Sequence, residues 1–544
     1  MLLAKHSIAY RRQVLSRRNF LKTSAVLATL LAGGYIFRSP SNTKVKHILC
    51  SASHEKLAVS TSLSKGVSSL DLILDGKIKS TGKRIDREGK HWQFVVNKLT
   101  SDKTYELQLT SQEQPLYSAW KLKTFPNPES EITKVSMMTF TCPGGGDGFK
   151  ASGREFFKPF KFRQKIFDEG LSNKPDFAIS IGDHVYWDLR REDSPPVGRN
   201  SKLIKFFLGG YLKFRYGSFN RLENANSSTN ESVLKKIGNE QIASLYGTRF
   251  KSTPIFFIPD DHDYFENDDA EEDLVTFPAD AFSRGAFEKM ADLFYPPLLD
   301  TPDDKPGRKI GRIRYGNAFE GLLADCAGNM TLGNEKAVLI SDQDEKWLLS
   351  RIDNSKAKHL GFIPSHPLGY TAGKWREWYP DVVAEEGASG IVVNELLSGL
   401  KGRLTTQANK YLWQEGWFLQ HQRILESLAK REGSRFIFSG DIHAMGASEI
   451  LESADLKIKN YVKTFLVGPI SSSTGTWPSF ARGITADNPD YLLCNQISPV
   501  KEVNGFTIFN LIDDQAIALL NSCGGHNPED EETGKIISQD KIYI

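Results

Sequence analysis

Two styles of hydrophobic patterning divide the chain. Between residues 44 and 125 apolar and polar positions alternate with period two, as in Tyr105-Glu-Leu-Gln-Leu109 and Trp120-Lys-Leu-Lys-Thr124, the signature of strands with one buried face. Leu70–Leu74 followed by Asp75-Gly76 reads as a strand entering a tight hairpin, because both turn positions need the left-handed conformation that Asp and Gly tolerate. Six or seven such short strands predict a small all-β sandwich over 44–126. Pro126-Asn127-Pro128 then interrupts the pattern and is expected to mark a domain boundary.

From Val135 the strands change character. The runs Val135–Thr141, Phe177–Ile181, Ile255–Ile258, His359–Ile363 and Phe436–Phe438 are largely apolar, as expected for strands covered on both faces. Helical patterns lie between them, Trp417–Arg431 being one. Buried strands alternating with helices predict a layered α/β domain, placed here over 131–524. Residues 187–251 break the rhythm. Their Lys202–Arg221 part is rich in aromatic and basic residues and is expected to be an insertion able to cover a site. Residues 525–544 are expected to form a tail, with acid-rich Glu529–Glu532 on solvated surface.

Charge changes the picture at one end. The 544-residue chain carries a net charge of +3, but residues 1–22 alone hold six Lys and Arg and no acid, leaving −3 for the remainder. No global basic field therefore recommends a nucleic-acid partner. Ser16-Arg17-Arg18-Asn19-Phe20-Leu21-Lys22 precedes fifteen uncharged residues, Thr23 to Phe37, a basic region followed by a short apolar one, as in export signals. The paired arginines resemble the twin-arginine signal, which a receptor reads. As a helix this stretch reaches about 22 Å, short of a ~30 Å hydrocarbon core. Residues 1–40 are thus expected to direct the chain through the twin-arginine export machinery to the periplasm or beyond. With no small-residue cleavage site between Ala32 and Ser41, an uncleaved leader associated with the membrane is the alternative. Five cysteines are too few for a disulfide scaffold.

The chemistry sits where the apolar runs stop. Cys142 follows the first, Gly182-Asp183-His184-Val185-Tyr186 the second, and Pro259-Asp260-Asp261-His262-Asp263 the third. Pro364-Ser365-His366-Pro367 and Ser439-Gly440-Asp441-Ile442-His443 follow the last two. Taken singly, a Gly-Asp pair is a turn and a buried Cys a small apolar side chain. Five run ends carrying Asp, His, Cys and Tyr would converge on one rim if the strands share a sheet, where α/β folds bind ligands. Crowded carboxylates repel one another and stay ionised only against cations. Asp and His suit divalent or trivalent metals, and an added thiolate and phenolate favour an oxidised one such as Fe(III).

These motifs, Gly-Asp-His-Val-Tyr (182–186), Asp-Asp-His-Asp (260–263) and Ser-Gly-Asp-Ile-His (439–443), closely resemble the alkaline phosphatase D (PhoD-like) branch of the calcineurin-like metallophosphoesterases. The resemblance runs from the leader to Gly505-Phe506. It implies an α/β, layered αββα-type catalytic domain after a fibronectin-type-III-like sandwich. It also implies two or more metal ions, Fe(III) with Ca(II) or another divalent ion, and a phosphate ester substrate. Carried over by position, Cys142, Asp183, Tyr186 and His443 would hold the iron-like metal, with Asp183 bridging. Asp261 and Asp441 would hold the second. His366 matches a histidine ligand found in many superfamily members, and Asn267 lies near a ligand for an additional calcium. His262 would face the substrate as the acid for the leaving group. The chain departs from the family pattern at Pro143–Gly148, which holds Gly144-Gly145-Gly146 without the Gly-Lys-Ser/Thr of a nucleotide loop.

The expected activity is therefore an exported phosphoesterase acting on diesters, monoesters or both. Two alternatives belong to other classes. An exported metal-binding redox protein has against it the absence of an iron–sulfur cysteine run and of a Gly-x-Gly-x-x-Gly fingerprint. A non-catalytic binding protein that keeps the fold would normally have lost ligands, and the principal ones are all present.

Overall fold

The computed structural model describes residues 43–148, 150–151, 154–155, 157–186, 214–264, 279–331, 334–372, 382–384, 402–404, 415–472, 486–488, 492–525 and 528–544. The expected leader, residues 187–213 of the expected insertion, and Asn267 lie outside them. Lys44–Ile544 forms one compact unit. Among the described residues no helix is long and apolar enough to cross a membrane.

The alternating region folds as two antiparallel sheets. One joins Val45–Ala52, Leu57–Leu63, His91–Val96 and Lys83–Arg84; the other is built around Thr104–Ser111. Asp71–Leu74 pairs with Ile78–Thr81 through the Asp75-Gly76 turn, both residues at positive φ (51° and 66°). Leu72, Leu74, Trp92, Phe94, Leu107 and Leu109 fill the space between the sheets.

Two larger sheets begin at Lys134. In the six-stranded sheet, Lys134–Thr141 lies between Phe177–Ile181 (parallel) and Gly505–Ile512 (antiparallel), and Ile255–Ile258 extends the parallel side. In the seven-stranded sheet, Phe319–Ala324, His359–Pro364, Ser434–Ser439 and Leu456–Val467 run parallel. The five apolar runs are thus all strands, but three lie in one sheet and two in the other.

Side-chain alternation explains the layering. Along Lys134–Thr141, Val135 and Met137 face the space between the sheets, while Met138 and Phe140 pack towards helix Phe160–Ser172. Phe436 and Phe438 likewise face inward and Ile437 outward, the latter in the cluster that holds Ile424, Leu425 and Leu428 of helix Glu415–Lys430. Phe509 joins the two layers, its ring centroid 5.3, 4.9 and 5.3 Å from those of Phe436, Phe438 and Phe465. Helix, sheet, sheet, helix is the expected αββα order, with both faces of each central strand buried.

Two segments behave differently from their sequence reading. Residues 525–544 supply the strand Ile536–Tyr543, paired with Gln515–Cys523 at the edge of the six-stranded sheet. Asp540 there accepts from Ser498 Oγ and Lys501 Nζ on Leu492–Lys501 (2.7 and 2.8 Å), tying the two sheet edges together. A short alternation beyond a Gly-rich turn carries too little signal to be seen as an edge strand. The described part of the expected insertion holds helix Ser228–Gly238, whose Val233, Leu234 and Ile237 belong to the core.

Candidate metal centre

The strand ends do meet on one rim, because the two sheets touch there. Thr141 Oγ1 accepts from Asp441 N (3.3 Å) and donates to Ile181 O, linking three strand ends across both sheets. A Cβ on Gly440 would lie 2.3 Å from Thr141 Oγ1, and one on Gly182 would lie 2.5 Å from Asp260 Cβ. Only glycine permits that approach, and Gly182 also has φ +70°. Cys142, Asp183, Asp441 and His443 themselves adopt positive φ (49°, 54°, 67° and 50°). Such conformations cost roughly 1–3 kcal/mol each and persist where the surrounding structure dictates a side-chain direction.

That direction is inward. Sγ, carboxylate or imidazole atoms of Cys142, Asp183 and His443 lie within 4.8 Å of one another. The same holds for Asp183, Asp261 and His262, and for Asp260, Asp261 and Asp441. Asp183 belongs to two of these groups and Asp261 to two, so the donors form a continuous run. The Tyr186 hydroxyl donates to Asp183 Oδ2 (2.8 Å) and sits 3.1 Å from His443 Nε2, itself 3.2 Å from the same carboxylate oxygen. His366 Nδ1 is 3.3 Å from Asp441 Oδ2. The His262 ring packs on that of Tyr186, with centroids 4.4 Å apart. All eight of these residues expected from the sequence are brought together and buried; Asn267 lies outside the described residues.

The electrostatics are unbalanced. Asp183, Asp260, Asp261 and Asp441 are all at most 3% exposed. Burial raises the Asp260 carboxyl well above the usual range, and repulsion from Asp261, Asp441 and Asp183 adds to it. At Asp183 burial pulls upward too, but the positive fields of His262 and His443 outweigh it and the carboxyl lies below its ordinary value. Burial and the Asp183 charge push both the Cys142 thiol and the Tyr186 phenol well up. Asp183 Oδ1 and Asp260 Oδ2 are buried with no hydrogen-bond partner. Oxygens of this kind, beside a thiol, a phenol and imidazoles, are a donor set suited to cations, which would satisfy the orphaned oxygens and the charge together.

Four residues of the site went unassigned in the sequence. Asp260 is the first of two adjacent acids, and spacing alone does not say which faces the cluster; both do. Asp263 braces the second and third strand ends: its Oδ1 accepts from His184 N and Val185 N (3.0 and 3.1 Å), and its Oδ2 from Asp260 N (3.0 Å). Arg163, fully buried, donates to the carbonyls of Lys158, Pro143, Gly144, Gly145 and Gly146. Those carbonyls are why the triple-glycine stretch can follow Cys142 without a regular structure. Burial lowers the guanidinium to about 9, which leaves it charged at neutral pH. Gln241 is hydrogen-bonded to Tyr186 and Gly145. A single Arg or Gln within a helical pattern carries no sequence signal; the acidic motif offered a hint of Asp263.

No protein-family model matches the sequence, and no curated protein matches it significantly. Solved structures do match in fold. PhoD superposes with a TM-score of 0.57 at 12% identity, covering 91% of this chain and 88% of its own. Purple acid phosphatase PPD1 from yellow lupin (Lupinus luteus) seeds gives 0.51 at 12% identity, covering 92% of this chain and 74% of its own. The sandwich followed by the layered αββα domain is the fold that this chain has in common with both.

Proposed function

We propose that the chain is a metal-dependent phosphoesterase, cleaving phosphodiesters and, where the site admits them, phosphomonoesters. The observation that carries this reading is the run of four buried carboxylates around Asp183, with two orphaned oxygens, a donor set that cations would satisfy. Similarity of fold to two phosphatases adds weight to it. Cys142, Asp183, Tyr186 and His443 would hold one ion, for which thiolate and phenolate favour Fe(III). Asp183, Asp260, Asp261, Asp441 and His366 would hold a second, Ca(II) or another divalent ion. Asn267 is proposed as a ligand of an additional calcium on the sequence resemblance alone.

When bound, such ions supply Lewis acidity that lowers the pKa of water to yield a nucleophile and offsets charge on phosphoryl oxygens. The chain's residues supply the rest. Asp183 would bridge the two ions, a reading supported by its membership of two of the three donor groups. As ligands, Cys142 and Tyr186 would each give up a proton, so loading would weaken as pH falls. His262, buried against the Tyr186 ring, is the candidate acid for the leaving alkoxide. Asp261 Oδ1 accepts from the His262 main-chain N–H (2.8 Å), which ties the backbone of the candidate acid to a proposed ligand. The arginine pair at residues 17 and 18 supports export by the twin-arginine route, and an anchor through the same leader is the alternative.

The test is hydrolysis of bis-p-nitrophenyl phosphate and p-nitrophenyl phosphate by the purified chain, before and after chelation and metal return. Activity lost with the metal and restored with it is the expected result. Metal retained without cleavage of either ester would overturn the proposal.

A further inference from the structure

We infer that Gln241 is a positioning residue for Tyr186, holding that ligand's main chain so that its phenol reaches the metal centre; this rests on the proposed reading of Tyr186 as a ligand. The Gln241 side chain is 1% exposed. Its Oε1 accepts from Tyr186 N (2.9 Å) and its Nε2 donates to Tyr186 O (2.8 Å), so one carboxamide grips both polar groups of one residue. The same Oε1 accepts from Gly145 N (2.8 Å). Gly145 O is in turn held by Arg163 Nη1 (2.9 Å). A chain of buried polar contacts therefore runs from Arg163 through the triple-glycine loop and Gln241 to the Tyr186 backbone.

Nothing else described does this for Tyr186. Its ring packs on Phe157 and His262 (centroids 4.9 and 4.4 Å), contacts without direction along the main chain. Its hydroxyl reaches Asp183 and His443 only from the position that the backbone sets. Gln241 lies in Asn239–Ser244, a single π-helical turn that continues helix Ser228–Gly238. Turns of that kind are rare and cluster at functional sites, where the wider turn re-aims a side chain. Here the side chain so aimed is the clamp. It also joins the Cys142 loop to the Tyr186 loop, so thiol and phenol are held in one frame.

The test reads Tyr186 itself. Ferric ion is added to metal-free wild type, Tyr186→Phe, Gln241→Met and Gln164→Met, and the tyrosinate-to-iron absorption and retained iron are measured. Gln164 Nε2 donates to Ser244 O and Leu245 O (2.9 and 3.2 Å), so its loss loosens the same turn without touching the clamp. Gln241→Met is expected to lose most of the band and to retain iron about tenfold or more weakly, the size usual for partners that orient ligands. Gln164→Met is expected to match wild type. A folded Gln241→Met protein with wild-type band and retention overturns the inference. Should that variant not fold, Gln241→Glu keeps the size and the acceptor but lacks the amide donor. A diminished band in it supports the inference, and an unchanged one overturns it. A wild type that binds iron without a tyrosinate band overturns the reading of Tyr186 as ligand, and this inference with it.

Discussion

Two regions of this molecule bury charge, and they do so in opposite ways. Beneath the sandwich, Lys235 Nζ lies 3.2 Å from Asp86, 2.7 Å from Glu88 and 3.2 Å from Glu231. Lys289 Nζ meets the other oxygen of Glu231 at 3.0 Å, and His91 Nδ1 stands 3.3 Å from Asp86. Asp86 also accepts from Lys90 N and His91 N. Every acid there has a cation or an N–H, and the network ties the sandwich to helices Ser228–Gly238 and Ala281–Phe294. At the strand-end rim four carboxylates crowd among imidazoles and the Tyr186 hydroxyl, Asp183 Oδ1 and Asp260 Oδ2 are orphaned, and four main chains are held at positive φ. The first region is charge-balanced and structural. The second crowds acids that bound cations would balance, which is the physical content of the metal reading.

The largest expected effect separates the regions outright. Asp183→Asn should cut phosphodiester hydrolysis about a thousandfold or more, since the Lewis acidity at stake is worth several kcal/mol of barrier. Bound metal should fall with it, and the fold should survive. Lys235→Met should do the reverse. Taking the shared cation from Asp86 and Glu231, which keep their other partners, should destabilise by about 1.5–3 kcal/mol, read by denaturant unfolding, with metal content unchanged. A smaller effect sharpens the contrast: Asp260→Asn should leave the metal-free protein as stable or more so, by relieving repulsion, while weakening metal retention about tenfold. Glu231→Gln, the same change in the balanced network, should lower stability.

A pH dependence arises beside the rim, at the helix Asp261–Tyr264. Asp325 is buried, accepts from Tyr264 Oη at 2.6 Å, and burial pushes its carboxyl up from 3.8 to about 6. A folded-state value above the unfolded one means that the unfolded chain loses its proton first. Stability should therefore decline as pH rises from about 4 to 6, by roughly 3 kcal/mol at most, and level off above. Asp325→Asn should remove that decline in urea titrations across the window.

How much of this was legible beforehand depends on periodicity. The five apolar runs read directly as strands, and the residues that terminate them as a cluster of candidate ligands, because a doubly covered strand has one composition and its end another. The Asp75-Gly76 hairpin was equally plain. Their division between two sheets was not, since nothing within His359–Pro364 or Ser434–Ser439 states which sheet they join. Gln241, Arg163 and Lys235 were invisible for a related reason. Each acts through hydrogen bonds to groups distant along the chain, and a polar residue in a helix reads as surface until the fold buries it.

The most direct measurement is the metal content of the folded chain by elemental analysis, with Asp183→Asn and Lys235→Met beside it. The account predicts two or more ions in wild type and in Lys235→Met, and loss in Asp183→Asn. A wild type that is folded, metal-free and still active on phosphodiesters would contradict it.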